Sequence, residues 1–492
     1  MKCHVPEIRI RSVNDAPVNR HGDFVVYWMT ANRRTTWNFS LQRAVNHAEQ
    51  LHKPLVILEA LRCDYRWASD RIHRFILQGM SDNRAALTGT KAHYLSYVEP
   101  DRRHGSGLLK ALAEKACVVI TDDFPCFFLP RMLNAVAGNL PVRLEAVDSN
   151  GLLPLRATDR IFTTAYSFRR FLQKELPQHL LQLPEPDPLH TAQFPVFDRL
   201  PATIRKRWQQ ASETLLQASP QALSLLPVDH SVRAAAFDGG SCAATRQLDS
   251  FIRDRLPRYA TERSQPEKNA ASGLSPYLHL GQISAHEVFA KIVQRENWSE
   301  SSLSDKTPGS RTGWWGMAPE SESFLDELIT WRELGYNMCS KHRKYDRYES
   351  LPEWARITME THAGDIRPDC YSLEQLDASQ THDELWNAAQ NQLVTEGRMH
   401  NYLRMLWGKK IYEWSKTPRE ALTILIHLNN RYAVDGRNPN SYSGIFWCLG
   451  RYDRAWGPER PIYGKLRYMS SENTARKFQV KNYLEQYRNR TD

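Results

Sequence analysis

Apolar residues run in two different rhythms along this 492-residue chain, and the change near residue 150 divides it. From 22 to 150, short continuous apolar runs alternate with amphipathic stretches. The runs "GDFVVYWM" (22–29), "KPLVILEAL" (53–61), "KAHYLSYVE" (91–99), "CVVITDD" (117–123) and "VRLEAVDS" (142–149) predict buried strands. Helices are predicted between them, over "NFSLQRAVNHAEQLH" (38–52) and through "RFILQGMSDNRAAL" (74–87). Strands without polar alternation, separated by helices, imply a parallel sheet covered on both faces. The expected class for this part is therefore α/β, a Rossmann-like doubly wound sheet.

Beyond it the rhythm changes. The stretch "LPEPDPLHTAQFPVFDRLPAT" (183–203) is too rich in proline for a long regular element. After about 230 the pattern is helical, interrupted by one expected loop, "SESSLSDKTPGSRTG" (299–313). The expected organisation is an amino-terminal extension (1–21), an α/β domain (22–150), a connector (151–230) and an all-α domain (231–492). No apolar run approaches the ~20 residues that cross a bilayer. Nor does "MKCHVPEIRIRS" offer the apolar stretch of a secretory signal, so the expected location is cytoplasmic.

Charge adds a candidate partner. Lys and Arg number 65 against 55 Asp and Glu, a net of +10, and residues 431–492 hold twelve basic and six acidic side chains. Such a bias suits nucleic acid and equally suits plain solubility. The eight cysteines, at 3, 63, 117, 126, 242, 339, 370 and 448, form no CxxC pair. They read as mostly buried intracellular thiols, and no metal site is expected. Ten of the fourteen tryptophans lie at or after 298, so the helical half carries most of the large flat rings, either as core filler or against a flat cofactor or base.

Several chemistries lack their motifs. GxGxxG, Walker A, HExxH and GxSxG are all absent, and "DGGSC" (238–242) reads as a loop before a helix. Candidate chemistry therefore concentrates in the helical half. Across 391–418, Leu393, His400, Trp407 and Trp414 recur every seven residues, predicting one helix face. On such a helix Trp407 and Trp414 lie about 10 Å apart along the axis, close enough for electron hopping between rings. Trp386, one segment earlier, offers a third ring; a plain aromatic core stripe fits the same spacing. Arg404 and Asp435 are candidates for a buried ion pair, with Asn429 able to donate and accept beside a heterocycle. In "ASGLSPYLHLGQIS" (271–284), Ser272 and Ser275 flank a helix start suited to phosphate or to simple capping.

Taken in order, these segments resemble the cryptochrome/photolyase family, and within it the class II cyclobutane pyrimidine dimer photolyases. The resemblance runs over essentially the whole chain: "VVYWMT", "LSPYLHLGQIS", "FLDELITWREL", "THDELWNAAQ", "GRMHNYLRMLWGKKIYEW", "LNNRYAVDGRNPNSYSGIFW" and "DRAWGPERPIYGKLRYM". It implies an α/β antenna-type domain followed by an all-helical domain that binds one FAD in a bent shape. It also implies a possible second chromophore, a deazaflavin or a folate.

Residue by residue, the resemblance assigns Ser272, Gly273, Leu274 and Ser275 to the flavin diphosphate, with Tyr259 as a further cofactor contact. Arg404 and Asp435 become the ion pair beside the flavin ring, and Asn429 the asparagine facing flavin N5. Trp407, Trp386 and Trp414 become electron-transfer residues, in that order outward. Glu333 matches the glutamate that hydrogen-bonds the lesion, and burial would raise its carboxyl toward the neutral form. A helix-surface Glu333 paired with a neighbouring Arg is the plainer alternative. Met405 and Trp447 become apolar walls for a flipped dimer, and Arg451, Arg454, Lys465 and Arg467 contacts to DNA phosphates or to the vacated gap.

The implied activity is light-driven repair: reduced FAD gives an electron to a pyrimidine dimer in UV-damaged DNA, the ring splits and the electron returns. The expected protein is a monomeric lyase. A cryptochrome-like photoreceptor without repair and a colourless nucleic-acid-binding module are the alternatives. The chain departs from the class II pattern in "TANRR" after "YWM", in "GRYDR" near the end, and in "WRELGYNMC", which marks a divergent branch.

Overall fold

The computed structural model describes residues 4–488. By its internal contacts the chain forms two compact units. The first comprises 1–158, 175–249 and 274–298; the second comprises 159–174, 250–273 and 299–492.

The first unit is built on a six-stranded sheet, ordered β1-β6-β5-β2-β3-β4. Its strands are β1 (Ile10–Ser12), β2 (Phe24–Met29), β3 (Leu55–Leu61), β4 (His93–Val98), β5 (Ala116–Asp122) and β6 (Leu144–Val147). Five strands run parallel; β1 alone pairs antiparallel, Ile10 opposite Val147. Every residue of β2 and β5 is buried, as expected of central strands covered on both faces. The covering helices include α1 (Phe39–Leu51) and α2 (Asp70–Leu87). Asn38 starts α1 by accepting the amides of Ser40 and Leu41, and His52 ends it in the left-handed region at φ 51°.

The divergent "TANRR" segment is the loop leaving β2. The Asp122 carboxylate, at the end of β5, accepts the amides of Thr30, Ala31 and Asn32 at 2.7–3.0 Å. Arg33 pairs with buried Glu59 at 2.9 Å, and Arg34 donates to Gly281 and Ser149. These arginines therefore hold the loop together.

The units differ from the contiguous division expected at 150 and 230. Residues 10–12, expected in an extension, form the edge strand β1. Much of the proline-rich connector packs on the sheet: Ala211 donates to the carbonyl of Ser96, and buried Trp208 joins the core with Leu95 and Tyr97. Isolated apolar residues in irregular backbone carry this packing, so no periodicity announces it.

The second unit is helical. Its helices include Arg332–Lys341, Glu384–Glu396, Asn401–Trp414, Pro418–Tyr432 and Pro439–Cys448. The single helix expected over 391–418 is two. Gly397 ends the first at φ 73°, a backbone open to glycine at little cost, and His400 is the residue before the second. Leu393 and His400 thus do not share a helix with Trp407 and Trp414. A Cβ on Gly408 would lie 2.5 Å from Cys448 Sγ, so glycine here lets the Asn401–Trp414 and Pro439–Cys448 helices approach closely.

Five of the seven described cysteines are buried, while Cys242 and Cys370 are exposed; Cys3 lies outside the described residues. Among the described residues no helix is long and apolar enough to cross a membrane.

Candidate functional site

Three polar side chains converge on the middle of the second unit. Arg404 lies on the Asn401–Trp414 helix and reaches Asp435 Oδ1 and Asn429 Oδ1, each at 3.4 Å. The expected buried ion pair is only partly buried: the two side chains keep 19% and 15% of their exposure. Asn429 is oriented from behind, its amide donating to Ser441 Oγ at 2.7 Å and to Asn430 Oδ1 at 3.2 Å. A cation, a carboxamide of fixed orientation and a carboxylate provide the donors and acceptors that a flavin ring with its N–H, N and C=O edge requires.

The tryptophans form a connected series. Trp386, Trp407 and Trp414 are all buried. The Trp386 indole N–H donates to the Trp407 carbonyl at 3.0 Å, and the Trp407 N–H donates to Gln390 Oε1 at 2.9 Å. Ring centroids of Trp386 and Trp414 are 5.4 Å apart, edge to face. Trp386, from the neighbouring helix, therefore bridges the axial gap between the other two.

The motif "FLDELITWREL" holds three carboxylates, and the structure separates them. Asp326 is taken by Arg169, at 2.7 Å and 3.0 Å. Glu327 lies in the π-helical turn Asp326–Trp331 and pairs with Arg263 at 2.5 Å, its side chain 28% exposed. Burial pushes its carboxyl up, against the pull of Arg263. Glu333, expected to carry that feature, is 4% exposed on the Arg332–Lys341 helix. Sequence reasoning did not single out Glu327, which lies six residues before Glu333 in the same motif. Tyr259 is buried between Phe251 and Phe324, with Arg263 over its ring, and burial raises its phenol.

At the basic carboxy-terminal segment, the four expected DNA contacts have different fates. Arg451 is 2% exposed, donates to the carbonyl of Tyr345 and to Ser350, and lies 3.8 Å over Phe446. That burial removes it from any phosphate. Arg454 and Lys465 are exposed, and Arg467 is half-buried. Trp447 is half-buried, with Arg467 at 5.4 Å and Lys409 at 5.6 Å from its ring. Lys409 is fully buried, and burial lowers its ammonium to about 8. Met405 is half-buried next to Arg404. The structure thus adds Lys409 to the surroundings of Trp447, where a lysine in a helical repeat gave no sign of burial.

The "ASGLSP" segment crosses the division between the units, which falls between Gly273 and Leu274. Gly273 has φ 69°, and the following helix, Ser275–His279, begins after Leu274 without a side-chain cap. Ser272 is half-buried and Ser275 exposed.

Comparison with known proteins places this geometry among relatives. No family model matches. The chain is 33% identical over 98% of its length to a deoxyribodipyrimidine photo-lyase of Methanothermobacter thermautotrophicus, covering 99% of that protein. It is 32% identical over 96% of its length to one of Potorous tridactylus, covering 83% of it, and 31% identical over 94% to one of Arabidopsis thaliana, covering 88%. Its fold resembles that of a bacterial class III photolyase from Agrobacterium tumefaciens, with TM-score 0.67 and 17% identity over 95% of this chain and 86% of that one.

Proposed function

This chain belongs to the cryptochrome/photolyase family, and on that premise we propose how its residues carry out light-driven DNA repair. The family membership makes it a flavoprotein lyase; the finer roles below are our reading. The lesion is a cyclobutane pyrimidine dimer, turned out of the duplex because a stacked base cannot approach a buried ring. The observation that carries the reading is the convergence of Arg404, Asn429 and Asp435 beside a buried tryptophan series.

These residues fit FAD. FAD held by them would supply, when reduced and excited, the electron that opens the dimer. Asn429, locked by Ser441 and Asn430, presents its carboxamide oxygen to the ring, while the Arg404–Asp435 pair sets the charge beside it. Tyr259, Ser272 and Gly273 are the further cofactor contacts within the second unit. Trp407, Trp386 and Trp414 pass electrons inward to restore the reduced state.

For the lesion we favour Glu327 over Glu333. Its side chain is the more open of the two, and a carboxylate fixed by Arg263 can accept a hydrogen bond from a pyrimidine N3–H of the dimer. Met405 and Trp447 form apolar walls. Arg454, Lys465 and Arg467 serve DNA phosphates and the gap, without Arg451.

Purified protein should carry FAD and, under blue light, repair a duplex holding one cyclobutane dimer in preference to one holding a 6-4 photoproduct. Preference for the 6-4 lesion would overturn the substrate assignment. Absence of repair in a protein with photoreducible FAD is the behaviour of a photoreceptor.

A further inference from the structure

The aromatic series does not stop at Trp414. Tyr371, half-buried just before the Leu373–Asp377 helix, sets its ring 5.3 Å from that of Trp414, edge to face. Its backbone N–H donates to the Trp414 carbonyl at 3.3 Å, which ties the loop to the end of the Asn401–Trp414 helix. The phenol oxygen lies 2.7 Å from His382 Nδ1 and also accepts the backbone N–H of His382 at 3.1 Å. The His382 ring is exposed, 5.5 Å from Trp414, with Asp369 at 3.7 Å.

The chemistry at the two ends of the series differs. Oxidised indole becomes a radical cation, and it settles only where its N–H proton can leave. Trp386 and Trp407 donate theirs to a backbone carbonyl and a side-chain amide, neither of which is a base. A positive charge held there is also buried, which is costly. A phenol loses its proton far more readily once oxidised, so it is oxidised easily only beside a base. Tyr371 has that base in hydrogen-bond contact, and His382 opens to solvent.

We propose that the Tyr371–His382 pair is a terminal redox station that takes the oxidising equivalent from Trp414 and traps it. The proposal rests on the tryptophan series of the preceding section. In the step, one electron passes from the Tyr371 ring to the Trp414 radical cation, and the phenolic proton passes to His382 Nδ1. The products are neutral Trp414, a neutral tyrosyl radical and an imidazolium. Charge is conserved, and the positive charge moves from the buried indole to an exposed ring. Trapping at the surface separates the hole from the interior and gives external reductants a place to refill the chain.

The test is transient absorption, with electron paramagnetic resonance, on FAD-loaded full-length protein excited with blue light. In the unmodified protein, a tryptophan radical should form and then give way to a neutral tyrosyl radical. Tyr371→Phe should abolish the tyrosyl signal and lengthen the life of the tryptophan radical about tenfold or more. His382→Asn, which keeps an acceptor near the Nδ1 position but is not a base, should slow tyrosyl formation by a similar factor. Repair by chemically reduced protein should be unchanged in both variants, and flavin content equal to that of the parent shows that they are folded.

A tyrosyl signal that survives Tyr371→Phe, or forms at the parental rate in His382→Asn, would overturn the proposal. Tryptophan radicals that never yield tyrosyl would overturn it while leaving the tryptophan series standing. No tryptophan radical at all would overturn both.

Discussion

The indole N–H of Trp386 donates to the backbone carbonyl of Trp407 across two helices, at 3.0 Å. This bond joins the helix Glu384–Glu396 to Asn401–Trp414, and the Trp386 ring lies 5.4 Å from that of Trp414. It makes the three tryptophans a structural unit.

Trp407→Phe should therefore block photoreduction of oxidised flavin while repair by pre-reduced enzyme persists. It also leaves Gln390 Oε1 without its donor and opens a small void, at a cost of about 1–3 kcal/mol. Photoreduction kinetics, repair by dithionite-reduced protein and a denaturation midpoint separate the two effects. Loss of repair in the pre-reduced state would contradict the division of roles.

The Arg404–Asp435 pair is partly open to solvent, so its worth to folding is small, of the order of 1 kcal/mol. On the proposed reading its worth to the cofactor is larger. Asp435→Asn should lower flavin absorbance per polypeptide severalfold with little change in the unfolding midpoint. A variant that keeps full flavin but unfolds early would assign the pair to the fold alone.

Glu327→Ala should weaken binding of dimer-containing duplex about tenfold, the worth of one hydrogen bond of about 1.4 kcal/mol to a partly buried carboxyl. Glu333→Ala should change it less. Neither should release FAD. Binding titrations in the dark on both variants check this, and the reverse ranking would restore Glu333.

His73 is fully buried in the first unit, and burial lowers its imidazole to about 4. The unfolded chain takes up that proton near its ordinary value of about 6.5, so the unfolded state gains protons first. Stability is fully present above about 6.5 and falls as the pH drops toward 4, by about 2 kcal/mol at pH 5. His400, also lowered to about 4 by burial, acts in the same direction. Urea midpoints between pH 7.5 and 5 should fall in the parent and fall less in His73→Gln.

The parallel sheet was legible because β2, β3 and β5 are nearly continuous apolar runs, whereas β1 is three residues without a buried face. The helix break at Gly397 was hidden by a seven-residue spacing that runs across it from Leu393 to Trp414. Charge in sequence says nothing of burial, so Arg451 read as a surface cation and Lys409 as unremarkable, although both are interior. Arg404, Asn429 and Asp435 were legible as one polar group, and the structure brings them together. The proposed preference for Glu327 over Glu333 rests on their burial, which sequence spacing does not reveal.

The most direct measurement is the restoration of intact thymines in a defined thymine-dimer duplex by reduced, purified protein, in blue light and in darkness. Light-dependent restoration with none in the dark is the predicted result. Equal outcomes in light and dark, or no restoration by protein that carries reduced FAD, would contradict the account.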